Sequence, residues 1–130
     1  MEDYCDREPP PGLHRAIVQF NAGEYYECHE TLEDLWRGEP GTIRDLYKGI
    51  LQIGIAIYHA KRANLKGALR LITSGLELTG RFTPRCLGVD TALLLETAIR
   101  IRDELERLDP GQCLSPGYTP EIKLSRQDAP

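Results

Sequence analysis

GILQIGIAIYHA, residues 49–60, is the most apolar run of the sequence. It is 12 residues long and contains Gln52 and His59, so it is too short and too polar for a membrane span, which needs ~20 residues. The run lies within a helical pattern that extends from a turn at 38–42, GEPGT, to about Ala63. Its apolar residues occupy nearly the whole circumference of that helix. This pattern predicts a central, buried helix.

The rest of the sequence also has helical periodicity. Apolar residues recur at helical spacing, and the β-branched residues sit inside these periods instead of alternating as they would in a strand. The other predicted helices cover 13–20, the stretch from Asn21 to about Arg37, 67–82 and 91–108. The sequence therefore predicts an all-α fold, a compact bundle of four to five antiparallel helices with short turns.

Polar residues at the predicted helix starts have the character of N-terminal caps. A side-chain oxygen at this position accepts a hydrogen bond from an unpaired backbone N–H of the first turn. Asn21 is followed three residues later by Glu24, and Thr42 by Asp45, which is capping-box spacing. The predicted caps of the four later helices are Asn21, Thr42, Asn64 and Asp90.

The outer segments differ in composition from the helical part. Residues 1–11 are charged and then proline-rich, and the last 20 residues are rich in proline, glycine and polar groups. We expect a flexible N-terminal tail at 1–11, a helical domain at 12–109 and an irregular C-terminal extension at 110–130. A chain of 130 residues is one domain and buries a working hydrophobic core without staples.

Charge and cysteine usage restrict the partners and the compartment. The net charge of −4 disfavours a nucleic-acid partner, and no segment is long enough to span a membrane. The four cysteines, Cys5, Cys28, Cys86 and Cys113, have no CxxC spacing, and the sequence starts without an apolar signal segment. We expect four free thiols and a cytoplasmic protein.

Residues 25–38, YYECHETLEDLWRG, carry the side chains best suited to catalysis or metal binding. At about 100° per residue, one stripe of this helix forms the core face, with Tyr25, Cys28, Leu32 and Leu35. The neighbouring stripe carries Tyr26, His29, Glu30, Glu33 and Trp36. His29 and Glu33 are at i and i+4 and point the same way from successive turns. Aromatic rings at both ends predict that this stripe is partly buried.

The central helix supplies a matching polar face. Asp45, Lys48, Gln52, Ile55 and His59 share one stripe of an otherwise apolar helix. Because a short turn joins the two helices, they should pack antiparallel, with Trp36 near Lys48 at one end and His59 near His29 or Tyr26 at the other. This arrangement places His29, Glu30, Glu33, Gln52 and His59 across one seam.

Three roles are open for these residues. Two imidazoles with one or two carboxylates suit a divalent metal such as zinc, manganese or iron. The same groups suit general acid–base catalysis, because burial and neighbouring charges tune the pKa of a carboxyl group. The third role is structural, with His–Glu and Gln–Glu hydrogen bonds that fix the register of the helices.

The two segments resemble a family of short, all-helical bacterial and archaeal proteins called domain of unknown function 309. The matching positions lie between residue 12 and about residue 80 and are Asn21, Gly23, Tyr26, Glu27, His29, Glu30, Glu33, Trp36, Gly49, Gln52, His59, Asn64, Gly67 and Ala68. Proteins of this family are labelled predicted metal-dependent hydrolases. The resemblance therefore implies an all-α fold, strengthens the metal interpretation and adds Glu27 as a candidate residue behind the ligands.

The leading hypothesis is a metal-dependent hydrolase. His29, Glu33 and His59 would bind a divalent metal, and Glu30 would act as a further ligand or as the general base for a metal-activated water. The pocket around the metal would comprise Glu27, Gln52, Trp36 and Tyr26. The alternative is a non-enzymatic binding or scaffold module, in which the seam only fixes packing and an apolar surface of the fifth helix meets a partner. The expected partners are a small molecule, another protein or a second copy of the chain.

Overall fold

A computed structural model describes residues 4–124. Within them the chain forms a short 3₁₀ helix and five α-helices and contains no β-strand. The helices are a 3₁₀ helix at Tyr4–Asp6, α1 at Pro11–Asn21, α2 at Tyr25–Gly38, α3 at Arg44–Lys61, α4 at Leu65–Gly80 and α5 at Thr91–Arg107. They form a compact bundle, which confirms the predicted all-α fold class. The expectations for residues 1–3 and 125–130 lie outside the described residues.

The central position predicted for α3 is confirmed. Its buried residues point to several sides of the helix. Among them, Leu46, Ile50, Ile53 and Ile57 are fully buried. The neighbours α2 and α4 both pack against α3, α1 packs against α2, and α5 packs against α4. Burial of such a helix removes apolar surface from water, which is the main stabilising contribution to the fold.

Two glycines allow α3 and α4 to approach closely. A Cβ atom added at Gly75 would lie 2.8 Å from Ile53 Cγ1 and 2.9 Å from the backbone oxygen of Gly49. A Cβ added at Gly49 would lie 2.6 Å from Thr79 Oγ1. Gly75, which disfavours a helix on propensity alone, is therefore required by packing.

Two of the predicted caps are present and two are not. Asn64 accepts a hydrogen bond from the backbone N–H of Gly67 at 3.2 Å, and Asp90 accepts one from Leu93 at 3.0 Å, as predicted. The prediction was wrong for Asn21 and Thr42, since α2 and α3 have no side-chain cap and follow Glu24 and Ile43 instead.

Asn21 has a different role from the predicted one. Its amide oxygen accepts from Ile122 N at 2.7 Å and its amide nitrogen donates to Ile122 O at 3.0 Å. The side chain thereby pairs with both backbone groups of one residue, as a strand would. Since that partner is far away in sequence, local spacing gave no sign of it.

The described part of the C-terminal extension lies across the ends of the helices. Leu114 donates its backbone N–H to Ala60 O at 3.0 Å, and Lys61 Nζ donates to Pro116 O at 3.0 Å. Leu114 and Ile122 are buried in the core. The extension is irregular in this region, and the division of the chain at residues 11 and 109 stays a prediction.

The expectation of four free thiols was wrong for one pair. Cys5 and Cys86 form a disulfide, whereas Cys28 is a buried and Cys113 an exposed free thiol. The pair is 81 residues apart in sequence, and the fold brings it together where Leu87 N donates to Cys5 O at 2.8 Å. Disulfides are rare in a reducing cytoplasm, so this pair does not support the expected cytoplasmic location. That location stays a prediction.

No helix in the described part of the chain is both long and apolar enough to cross a membrane.

Candidate functional site

An open groove lies between α2, α3 and α4 and has a volume of about 270 Å³. Its floor is apolar and comprises Leu51, Ile55 and Leu71. The polar or aromatic residues along its rim are His29, Glu33, Trp36, Lys48 and Gln52. The volume is near the lower limit of small-molecule sites, and an apolar wall with few polar groups is their usual composition.

The groove follows from the antiparallel register of α2 and α3. The loop at 39–43 is short, so Trp36 near the end of α2 lies beside Arg44 and Lys48 at the start of α3. One and two turns farther from the loop, Glu33 and His29 lie beside Leu51, Gln52 and Ile55. Four of the residues predicted for the site therefore share one groove: His29, Glu33, Gln52 and Trp36.

His29 and Glu33 form a loose pair on one face of α2. His29 Nε2 lies 4.0 Å from Glu33 Oε1, and about a third of each side chain is exposed. The other carboxylate oxygen of Glu33 lies 3.2 Å from Arg37 Nη2, one turn later. Arg37 thus offsets much of the negative charge that Glu33 brings to the groove rim.

Two polar atoms of groove residues are buried without a hydrogen-bond partner in the part of the chain that the structure describes. They are His29 Nδ1 and Gln52 Oε1. An unpaired buried polar atom of this kind costs about 1–3 kcal/mol relative to a hydrogen-bonded one. The terminal torsions of histidine and glutamine side chains are soft, so these side chains can rotate when a polar group enters the groove.

The Trp36 end of the groove is positively charged. The guanidinium carbon of Arg44 lies 4.5 Å from the centre of the Trp36 ring, and Lys48 Nζ lies 5.8 Å from it. Both distances are in the range of cation–π interactions. Within residues 4–124, Arg44 Nε is also buried without a hydrogen-bond partner.

Three residues predicted for the site lie outside the groove. Tyr26 is 55% exposed, and Glu27 and Glu30 are also exposed. They are on α2, but they do not line the groove. The predicted catalytic role of Glu30 is therefore not accompanied by burial or by a contact with His29 or Glu33 in a shared pocket.

His59 is also separate from the groove. Its Nδ1 lies 3.4 Å from Asn64 Nδ2, and its ring lies 5.8 Å from that of Tyr58. The last turn of α3 passes Tyr25, over whose ring Lys61 Nζ lies at 5.7 Å. Since α2 begins at Tyr25, the histidine falls beyond the part of α3 that faces His29.

The residues do not fit the predicted metal centre. Among residues 4–124, no three His, Cys, Asp or Glu side chains are grouped so that they can hold a metal ion. A zinc site with three protein ligands needs all three donors at about 2 Å from one point. His29 and Glu33 provide two such side chains, and His59 is not at the same place. Metal binding stays a prediction without a ligand set in this structure.

Sequence reasoning missed one residue beside the groove, Arg44, which contacts Trp36, and one residue that lines it, Leu71. Arg44 precedes Lys48 by four residues, and this i,i+4 spacing of like charges was a usable signal. Leu71 comes from α4 and reaches the groove only through the close approach of α4 to α3. No local pattern indicates that contact.

Two ionisable groups are buried behind the site. Burial raises the pKa of the Cys28 thiol to about 12 and, together with the neighbouring Tyr118 and Cys28, raises the pKa of Tyr25 to about 12. Both groups are therefore neutral at physiological pH and contribute to packing, since a thiol nucleophile needs a lowered pKa.

The fold and the site define a class of small all-α bundles that carry an apolar groove with a His–Glu–Trp rim. A family model described as "Domain of unknown function (DUF309)" matches residues 13–71. This match runs from α1 into α4 and includes every rim residue of the groove. Residues 13–71 therefore match the model of that family, which confirms the resemblance inferred from the sequence.

Two relatives are similar to parts of the chain. An uncharacterized protein, YpuF, of Bacillus subtilis (strain 168) is 34% identical over 94 residues, which are 69% of this chain and 54% of the relative. An uncharacterized protein of Aquifex aeolicus (strain VF5) is 28% identical over 67 residues, which are 49% of this chain and 20% of the relative. The chain thus spans about half of the first relative and a fifth of the second.

Proposed function

We propose that this chain is a binding module whose groove between α2, α3 and α4 holds a small organic molecule with an apolar body and a hydrogen-bonding group. The observation that carries the proposal is the presence of His29 Nδ1 and Gln52 Oε1, both buried and unpartnered, on two walls of one apolar groove. A ligand group that pairs with either atom removes the cost of leaving it unpaired.

The apolar floor determines the body of the ligand. Leu51, Ile55 and Leu71 are partly exposed in the groove and gain burial when an apolar chain covers them. Burial of apolar surface is worth roughly 25 cal/mol per Å², so a chain of about six carbons gives measurable binding without any polar contact. The polar group then fixes the orientation, as in most small-molecule sites.

The metal-dependent hydrolase remains the competing proposal. It is supported by the pairing of His29 with Glu33 on one helix face. It lacks a third ligand and a buried general base, because His59 and Glu30 lie elsewhere. Elemental analysis of untagged protein tests it directly: stoichiometric zinc, manganese or iron would support it, and metal-free protein with no thermal shift on metal addition would contradict it.

Fluorescence offers a direct test of the binding proposal, because Trp36 is the only tryptophan of the chain and lines the groove. We expect hexan-1-ol to change the Trp36 emission along a saturable curve, since its alkyl chain covers the floor and its hydroxyl is both donor and acceptor. The Leu71→Gln variant should lose this saturable change, because an amide replaces part of the apolar floor.

Leu69→Gln is the matched control. Leu69 is also a partly buried leucine of α4, but it lines a different cavity near the end of α5. The control should bind hexan-1-ol as the wild type does. No saturable change in the wild type, or an equal loss in both variants, would contradict the proposal.

A further inference from the structure

We infer that Arg44 and Lys48 form an anion subsite at the Trp36 end of the groove, and that the ligand is an organic anion with a carboxylate or phosphate next to its apolar body. This inference rests on the proposed binding function and specifies its ligand class. It concerns the charged end of the groove, whereas the binding proposal concerns its apolar floor and the two unpartnered atoms.

The first observation is that two cations share one helix face without a counterion among residues 4–124. Arg44 and Lys48 are separated by four residues on α3 and so project from successive turns of the same side. Within residues 4–124, neither Arg44 nor Lys48 has a carboxylate oxygen within 4.0 Å of its side-chain nitrogens. The ion pairs there are formed by other arginines and by His29. Like charges at this spacing repel, so the arrangement favours an anion from outside.

The second observation is the position of both cations at Trp36. The guanidinium carbon of Arg44 lies 4.5 Å from the centre of the indole, a cation–π contact that restrains this side chain, while Lys48 Nζ lies at 5.8 Å and Lys48 itself lines the groove. Arg44 Nε is buried and has no hydrogen-bond partner among residues 4–124. A guanidinium held in this way loses little further freedom when it meets an anion, and it presents donors that match carboxylate and phosphate oxygens.

The carboxylate of Glu33 does not cancel this positive end. Glu33 is nearest to Arg37, at 3.2 Å, on the α2 side of the rim. Its other oxygen faces His29 at 4.0 Å. The groove therefore has a compensated carboxylate at its middle and two uncompensated cations at its Trp36 end, which orients an amphipathic anion with its charged group towards Lys48.

Matched probes separate the charge from the apolar body. Hexan-1-ol, hexanoate and hexyl phosphate have the same alkyl chain, and each is titrated against Trp36 emission at low ionic strength. We expect hexanoate and hexyl phosphate to bind about fivefold or more tightly than hexan-1-ol, as one exposed charge contact or two would give. This preference should shrink as salt is added, because the cations are near solvent. The tighter of the two anions identifies the headgroup.

Variants assign the preference to the subsite. In Lys48→Met the ratio of hexanoate to hexan-1-ol affinity should fall towards one, with only the contribution of Arg44 left, and in Lys48→Arg it should be retained. Lys66→Met, at an exposed lysine of α4 outside the groove, should leave the ratio unchanged. If the wild type binds hexan-1-ol as tightly as both anions, the anion subsite is refuted while the groove proposal stands. If the wild type binds none of the three probes, the groove proposal itself fails.

Discussion

Replacing Gly75 with alanine is expected to destabilise this protein, although alanine is the better helix former. The new Cβ would lie 2.8 Å from Ile53 Cγ1 and 2.9 Å from Gly49 O, whereas ordinary contacts begin at 3.4 Å. Helices α3 and α4 must therefore separate by roughly 0.5 Å, and a gap of this size forfeits a quarter of the dispersion energy at each contact along the crossing. Overpacking of this kind costs about 1–3 kcal/mol.

The opposing contribution is the helix propensity of alanine. It is worth about 1 kcal/mol, so the net effect of Gly75→Ala is a loss of up to about 2 kcal/mol in the free energy of unfolding. For a chain of this length, each kcal/mol lowers Tm by roughly 3–6 °C. Urea unfolding followed by circular dichroism measures the change, and an unaltered m-value would show that the two-state behaviour is retained.

Gly54→Ala is the matched control for this experiment. Gly54 is also a buried glycine inside a helix, but a Cβ added there would lie 3.6 Å from the nearest atom, Phe20 Cδ2. The gain in helix propensity is then not opposed, and the variant should be more stable by about 0.5–1 kcal/mol. A Gly75→Ala variant that is as stable as Gly54→Ala would refute the close crossing of α3 and α4.

Three further predictions concern the anchors and the core. Asn21→Ala should lower the free energy of unfolding by about 1–2 kcal/mol and accelerate amide hydrogen exchange at Ile122, whose backbone groups lose both partners; unchanged exchange would contradict the anchor. Asp90→Ala should cost about 1 kcal/mol in urea unfolding because it removes a true cap, whereas Thr42→Ala should change stability by less than about 0.5 kcal/mol; equal losses would contradict this assignment. Burial raises the pKa of the Cys28 thiol from 9.0 to about 12, so the folded state keeps a proton that the unfolded state releases. The contribution of this thiol to the free energy of unfolding is complete below pH 9. It declines as the pH rises from 9 to 12, by up to about 1.4 kcal/mol per pH unit. A Cys28→Ala variant whose free energy of unfolding falls with the same slope above pH 9 would contradict this.

The helices were predictable because their signals are local. The core stripe of α2 and the apolar circumference of α3 depend only on the 3.6-residue period and on burial. The caps of α4 and α5 depend on a residue and the turn that follows it. Asn21 has the same residue type and spacing as a cap, but a backbone partner 101 residues away competes for its side chain. The disulfide between Cys5 and Cys86 has the same long-range origin.

The candidate site was predictable in part for the same reason. His29, Glu33 and Trp36 share a stripe of α2, and a short loop brings that stripe opposite Gln52, so helix geometry and one connection are enough. His59 lies outside the groove because the groove ends near Ile55 on α3. The last turn of α3 lies beside Tyr25, the first residue of α2, one turn beyond the part that faces His29. The contribution of α4 depends on the glycine crossing, which no periodicity in the sequence indicates.

The most direct test of the central claim is an amide and indole NMR titration of isotope-labelled protein with hexanoate. The single tryptophan gives one indole N–H signal at the end of the groove. We expect saturable shifts at that signal, at the Gln52 side-chain amide and at the backbone of Lys48 and Leu71, with little change around His59 or on α5. Shifts spread over the surface without saturation, or centred away from Trp36, would contradict the assignment of this groove as a ligand site.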